Sequence, residues 1–244
     1  MKTKQYLVKV LFLFAVTGLF SSCDKEKYCV NGKGDREIKS FSVENFSGVK
    51  SKIDADIFIT QGEFMQIEVH AQNNILDVLE LHKHNDLLII DFDHCVYDHD
   101  GIEIYISMPD IEKLKLSGSG TIETIGHFSN QQNVDIDISG SGKIIFDATA
   151  NNLDCDLSGS GTIDLYGTAE ENDINISGSG KIYAYEFPVE DCDVRISGSG
   201  ACEVNVDHRL DVSISGSGNV YYIGECDLQT HISGSGDVYY DGGK

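Results

Sequence analysis

Apolar and polar residues alternate with a period of two along most of the second half of the chain. Val134-Asp135-Ile136-Asp137-Ile138, Leu153-Asp154-Cys155-Asp156-Leu157 and Leu210-Asp211-Val212-Ser213-Ile214 are three such runs. Successive side chains of a strand point to opposite faces, so each run predicts a strand with one buried face. Each is followed by a Ser-Gly-Ser-Gly tetrapeptide, and these begin at Ser117, Ser139, Ser158, Ser177, Ser197, Ser215 and Ser233, at spacings of 22, 19, 19, 20, 18 and 18 residues. A second alternating run then follows, as in Thr162-Ile163-Asp164-Leu165 or Asn219-Val220-Tyr221-Tyr222. Counting phase from Ile138 to Ile144 puts both glycines inward and both serines outward. The period survives the tetrapeptide, which predicts a sharp bend with glycine on the inner side, where a Cβ has no room.

A repeat of this length is too short for a strand–helix–strand unit, which needs about 30 residues. It fits one coil of a β-helix, whose strands pair with the same strands one turn away at about 4.8 Å. Parallel crossovers are right-handed, so the expected fold is all-β: a right-handed parallel β-helix, or β-solenoid, with Ser-Gly-Ser-Gly repeats. Seven coils would make a rod of about 34 Å.

Residues 41–110 carry further strand signals without the tetrapeptide, among them Asp56–Thr60, Gln66–Val69, Leu87–Ile90 and Ile102–Ile106. Residues 74–79 suit either a short helix or a strand. Because open strand edges invite aggregation, 41–110 is expected to be an N-terminal cap with irregular coils and 111–244 the regular coils. The two together form one domain, 41–244.

The N-terminus has a different pattern. Lys2, Lys4 and Lys9 accompany an apolar run from Val10 to Val16, and small residues then lead to Ser21-Ser22-Cys23. This is the layout of a secretory signal, too short to remain as a membrane span. The small residues before Cys23 resemble the lipobox of bacterial lipoproteins, with Phe20 where the usual pattern has leucine. That resemblance implies a signal peptide over 1–22, lipidation of Cys23 and a polar tether over 23–40. Asp24-Lys25-Glu26-Lys27 resembles the acidic signals that send Bacteroidetes lipoproteins to the cell surface. Asp24 directly after the cysteine resembles the inner-membrane retention signal of enteric bacteria as well, so the expected location is the bacterial outer membrane, by lipid anchor, with retention at the inner membrane as the alternative and the leaflet left open.

Charge narrows the partners. Forty acidic residues face eighteen basic ones, for a net charge of −22, and setting aside the three signal-segment lysines deepens it. A phosphate backbone would be repelled, so nucleic acid is not an expected partner. The position four residues before the tetrapeptide holds Asp135, Asp154, Asp173, Asp193 and Asp211, and the next outward column holds Asp137, Asp156, Asn175 and Arg195. Stacked carboxylates about 5 Å apart repel unless a cation bridges them. Calcium takes six to eight oxygen ligands, which makes Asp154, Asp173, Asp193 and Asp211 the candidate metal ligands, against a plain solvated acidic face. Arg195 among Asp173, Asp193 and Asp211 is the one arrangement worth testing as a calcium-dependent polysaccharide lyase.

Asp91–Asp100, with His94, Cys95 and His99, matches no zinc or EF-hand spacing and reads as a polar loop. Cys155, Cys192 and Cys202 take inward positions, as small core hydrophobes. A Cys29–Cys95 disulfide between tether and cap is left open. The serines lack a fixed histidine or aspartate partner and read as structural. Outward tyrosines, Tyr183, Tyr185, Tyr221 and Tyr239, suit either sugar stacking or ordinary strand surface.

Phe46-Ser47-Gly48-Val49, Ile59-Thr60-Gln61-Gly62, Ile106-Ser107-Met108-Pro109 and the serial repeats resemble the head GIN domain family of putative autotransporter adhesins. The resemblance implies a right-handed parallel β-helix, often on Bacteroidetes lipoproteins, and supplies no catalytic residues. A non-catalytic adhesin or ligand-binding scaffold for glycans, matrix or envelope proteins is thus expected. A lyase-like enzyme and a purely structural envelope protein are the alternatives.

Overall fold

A computed structural model describes residues 29–242. The signal segment, Cys23 and the start of the tether lie outside the described residues.

The described chain is almost entirely β, a parallel solenoid of about seven turns. Its regular part consists of Phe128–Gly140, Lys143–Gly159, Thr162–Gly178, Lys181–Gly198 and Ala201–Gly216, each paired in parallel with the next. Like residues stack. Ile138, Leu157, Ile176, Ile196 and Ile214 form one buried column, and Ile144, Ile163, Ile182, Cys202 and Val220 another. Cys155, Cys192 and Cys202 lie in this core as free thiols, and burial pushes all three up from the ordinary thiol range. Asn172 also faces inward, between Leu153 and Cys192, and its Oδ1 meets no hydrogen-bond donor.

In the tetrapeptides from Ser139–Gly142 to Ser215–Gly218 the serines are exposed and the second glycine is buried, as parity predicts, but the first glycine is only half-buried and faces the backbone of the coil below. The two glycines differ in role. The first adopts a positive φ in every copy, from +119° at Gly159 to +143° at Gly140. The second is held by sterics instead: a Cβ on Gly161 would lie 2.7 Å from the carbonyl oxygen of Gly142 and 2.8 Å from Ile138 Cγ2, one coil below.

The cap is built out of chain order. Gly48–Ser51 pairs with Lys113–Gly118 on one side and with Leu87–Phe92 on the other, while Asp56–Gln61 lies between Thr121–Thr124 and Glu103–Met108. Antiparallel strands then finish the end: Leu79–His84 on Leu87–Phe92, and Arg36–Phe41 on Gln66–Gln72, which itself pairs with Glu103–Met108. The 74–79 segment divides, with a short helix at Asn73–Leu76 before the strand Leu79–His84. Cys29 and Cys95 form a disulfide, and Val30–Asn31 pairs beside it with Val96–Asp98.

Candidate functional site

The acidic ladder stands in register as its spacing predicts. Asp135, Asp154, Asp173, Asp193 and Asp211 occupy one outward column, with Lys113 before the first and Gln229 after the last. Basic groups counter most of it. Lys113 pairs with Asp135, and Lys115 lies 2.6 Å from Asp137. Arg195 reaches Asp173 at 3.7 Å and Asp193 at 3.9 Å.

Arg209, absent from the sequence reading, pairs with Asp211, donates to Asp193 at 3.3 Å and approaches Asp191 at 3.9 Å. It belongs to the adjacent outward column, opposite Asp191. Three of the four candidate ligands are thus engaged by two guanidinium groups, Asp173 by Arg195, Asp211 by Arg209 and Asp193 by both. Among the described residues no three His, Cys, Asp or Glu side chains converge on a point that would hold a metal ion.

Asp154 is left between two paired neighbours. Burial, and then the like charges of Asp173, Asp135 and Asp156, hold its carboxyl above the usual 3.8, with Lys113 offsetting part of the rise. A carboxyl raised in the folded state favours folding most when it is protonated, and that contribution is lost as pH rises through the raised value. Asp154→Asn is therefore expected to melt higher than the parent at neutral pH, with the gap closing as the pH falls below 3.8. Melting temperatures of both proteins across that range check it; parallel curves at every pH would show that the ladder does not strain Asp154.

The tyrosines divide. Tyr183, Glu203, Tyr221 and Tyr239 follow one another in a single outward column on the strands after the bend. Tyr221 and Tyr239 stack with centroids 5.2 Å apart and planes 20° from parallel, within the range of favourable aromatic pairs. Tyr183 and Tyr239 are exposed. Tyr185 does not join them. It sits half-buried at the next outward position, its hydroxyl 3.2 Å from Asp241 Oδ2, and burial beside Glu203 and Asp241 pushes its phenol up. Glu203 is likewise raised, by burial first and then by Asp241.

Two further features carry no repeat signature. His127 Nδ1 lies 2.6 Å from Asp147 and its Nε2 2.9 Å from Thr149 Oγ1. The atom order is that of a hydrolase triad, but both His127 and Asp147 are more than a third exposed, whereas a catalytic aspartate is buried where it orients its histidine. The second feature is an open groove of about 850 Å³ at the cap, with Phe58 and Tyr105 in its lining. The polar stretch 91–100 holds the end of the strand Leu87–Phe92, a bend, the strand Val96–Asp98 and the start of a loop, and its Cys95 is the disulfide partner of Cys29.

Known structures share this architecture. A putative adhesin from Bacteroides fragilis superposes with a TM-score of 0.78 at 18% identity, covering 86% of this chain and 99% of its own. A putative lipid binding protein from Parabacteroides distasonis gives 0.75 at 22%, covering 87% and 99%. A putative adhesin from Parabacteroides merdae gives 0.70 at 22%, covering 86% and 98%. At these identities the likeness is one of fold. No curated protein sequence matches the chain. The family model described as "Putative auto-transporter adhesin, head GIN domain" matches residues 45–226, well over half of the chain, and the protein therefore belongs to that family.

Proposed function

We propose that the protein is a non-catalytic cell-envelope adhesin, lipid-anchored through Cys23 at the outer membrane, whose solenoid contacts glycans through the tyrosine column. The observation that carries this reading is the register of Tyr183, Tyr221 and Tyr239 on one outward face. Rigid aromatic side chains offer large contact area at low entropic cost, and the solenoid fixes their spacing. The adhesin descriptions of the family and of two structural neighbours support it. The lyase alternative has weaker support: Arg195 is shared between Asp173 and Asp193, and Arg209 holds Asp193 and Asp211.

A glycan array probed with the parent and with Tyr183→Ala, Tyr221→Ala and Tyr239→Ala tests the reading. Each substitution is expected to weaken binding about tenfold, the equivalent of roughly 1.4 kcal/mol of lost stacking. Binding undiminished in all three variants would remove the tyrosine face from the function. Release of unsaturated products from pectin or alginate, followed by ultraviolet absorbance, would replace the reading with the lyase.

A further inference from the structure

The column that carries Tyr183 continues to the other end of the molecule. Tyr105 pairs with Phe58, and Phe58 is followed coil by coil by Glu123, Ile145 and Asp164 before Tyr183 is reached. Phe58 and Tyr105 stack at 5.2 Å, as Tyr221 and Tyr239 do. They line the cap groove together with the apolar residues Phe41, Val43, Met65 and Ile125 and the polar residues Thr60 and Ser107. One face thus holds two aromatic platforms in line.

Phe58 and Tyr183 are four strand spacings apart, about 19 Å. The residues between them form a low strip. Ile145 is short and half-buried, and Asp164 is tied to Lys143 at 2.6 Å, which counters its charge. Glu123 on the same strip offers an acceptor for hydroxyl groups. Apolar platforms joined by a polar strip match a ligand whose ring faces are apolar and whose edges carry hydroxyls. A net charge of −22 disfavours polyanions on any face. An acyl chain would expose its length to water along the strip.

We propose that this face binds a single uncharged polysaccharide chain extended parallel to the solenoid axis, one stretch on the tyrosines and another in the cap groove. The proposal rests on the glycan reading above and adds the ligand's class, its orientation and a minimum length. A chain long enough to reach both platforms makes the second contact intramolecular, which raises affinity by about a hundredfold without any new kind of contact. Shorter oligosaccharides occupy one platform at a time.

The test is calorimetric titration of the purified protein with uncharged β-glucan and N-acetylglucosamine oligosaccharides, from disaccharide to octasaccharide. Alginate and heparin fragments of matched length serve as charged comparisons, and thermal melts establish that each variant folds. The expected result is a steep rise in affinity, about a hundredfold, once the oligosaccharide spans the two platforms. Phe58→Ala and Tyr221→Ala should each abolish the rise while leaving the weak binding of short oligosaccharides at the other platform. Affinity that is flat with length, or a rise that survives Phe58→Ala, overturns the two-platform arrangement and leaves the tyrosine reading standing. Tighter binding of alginate or heparin overturns the ligand class. No binding of any glycan withdraws the glycan reading itself.

Discussion

Gly178→Ala is expected to cost at least about 3 kcal/mol and to lower the melting temperature by roughly 6–12 °C. Two effects add at this position. Gly178 has a φ of +126°, a region of the Ramachandran plot in which a side chain is strained by about 1–3 kcal/mol. A Cβ there would also lie 2.5 Å from the carbonyl oxygen of Gly159. That carbonyl accepts from the backbone N–H of Ser179 at 2.8 Å, so the coil below cannot retreat without losing a ladder bond. The controls are Ser177→Ala and Ser179→Ala on the exposed side of the same bend, each expected to stay within about 0.5 kcal/mol. Thermal melts of the three variants decide the matter. A serine variant as damaging as the glycine variant would mean that the outward hydroxyls, and not the backbone, hold the bend.

The second large effect lies at the cap. Cys29 and Cys95 close a loop with a sequence separation of 66, and a cross-link of that span restricts the unfolded chain by about 4 kcal/mol. Cys29→Ser with Cys95→Ser is expected to lower the cap's melting temperature by roughly 8–16 °C. Stability in a solenoid is carried by contacts between neighbouring coils, so the loss should stay near the cap and leave the regular coils to melt as before. Circular dichroism melts of parent and double variant, with and without reductant, check both parts. Cys155, Cys192, Cys202 and Cys226 are already free thiols, so reductant should change only the parent. Identical melting of reduced and oxidised parent would falsify the idea that this bridge holds the cap.

What could be read from the sequence depended on having a register mark. Wherever the tetrapeptide recurs, counting back four residues places Asp154 over Asp173 and Asp193, and counting forward places Tyr221 over Tyr239, because equal positions in a parallel stack must meet. The inward parity of Cys155, Cys192 and Cys202 gave their burial in the same way. Arg209 escaped for a different reason: it stands six residues before its tetrapeptide, in register with Asp191, but counting assigns it to that column and does not show that its guanidinium crosses to Asp193 and Asp211 in the next. The cap groove escaped for lack of a register mark. Its lining comes from Ser40–Glu44, from Met65–Glu68 and from Tyr105, segments that no shared motif aligns. Parity likewise could not say whether Cys29 and Cys95 meet, since it gives the face of a strand and not its neighbour.

The out-of-order cap also governs when the solenoid can begin to assemble. Strand Gly48–Ser51 has both its parallel partners later in the chain, at Leu87–Phe92 and at Lys113–Gly118. Asp56–Gln61 waits in the same way for Glu103–Met108 and Thr121–Thr124. A chain delivered from its N-terminus therefore cannot pair these apolar strands on both sides until residue 124 has emerged, and closing such long loops is the slow part of forming non-local β structure. Once that seam is shut, every later coil finds its template already in place, a single turn behind it, and adds locally. Assembly has one slow beginning and a fast remainder, and the exposed interval before residue 124 is when the chain most needs protection from its neighbours.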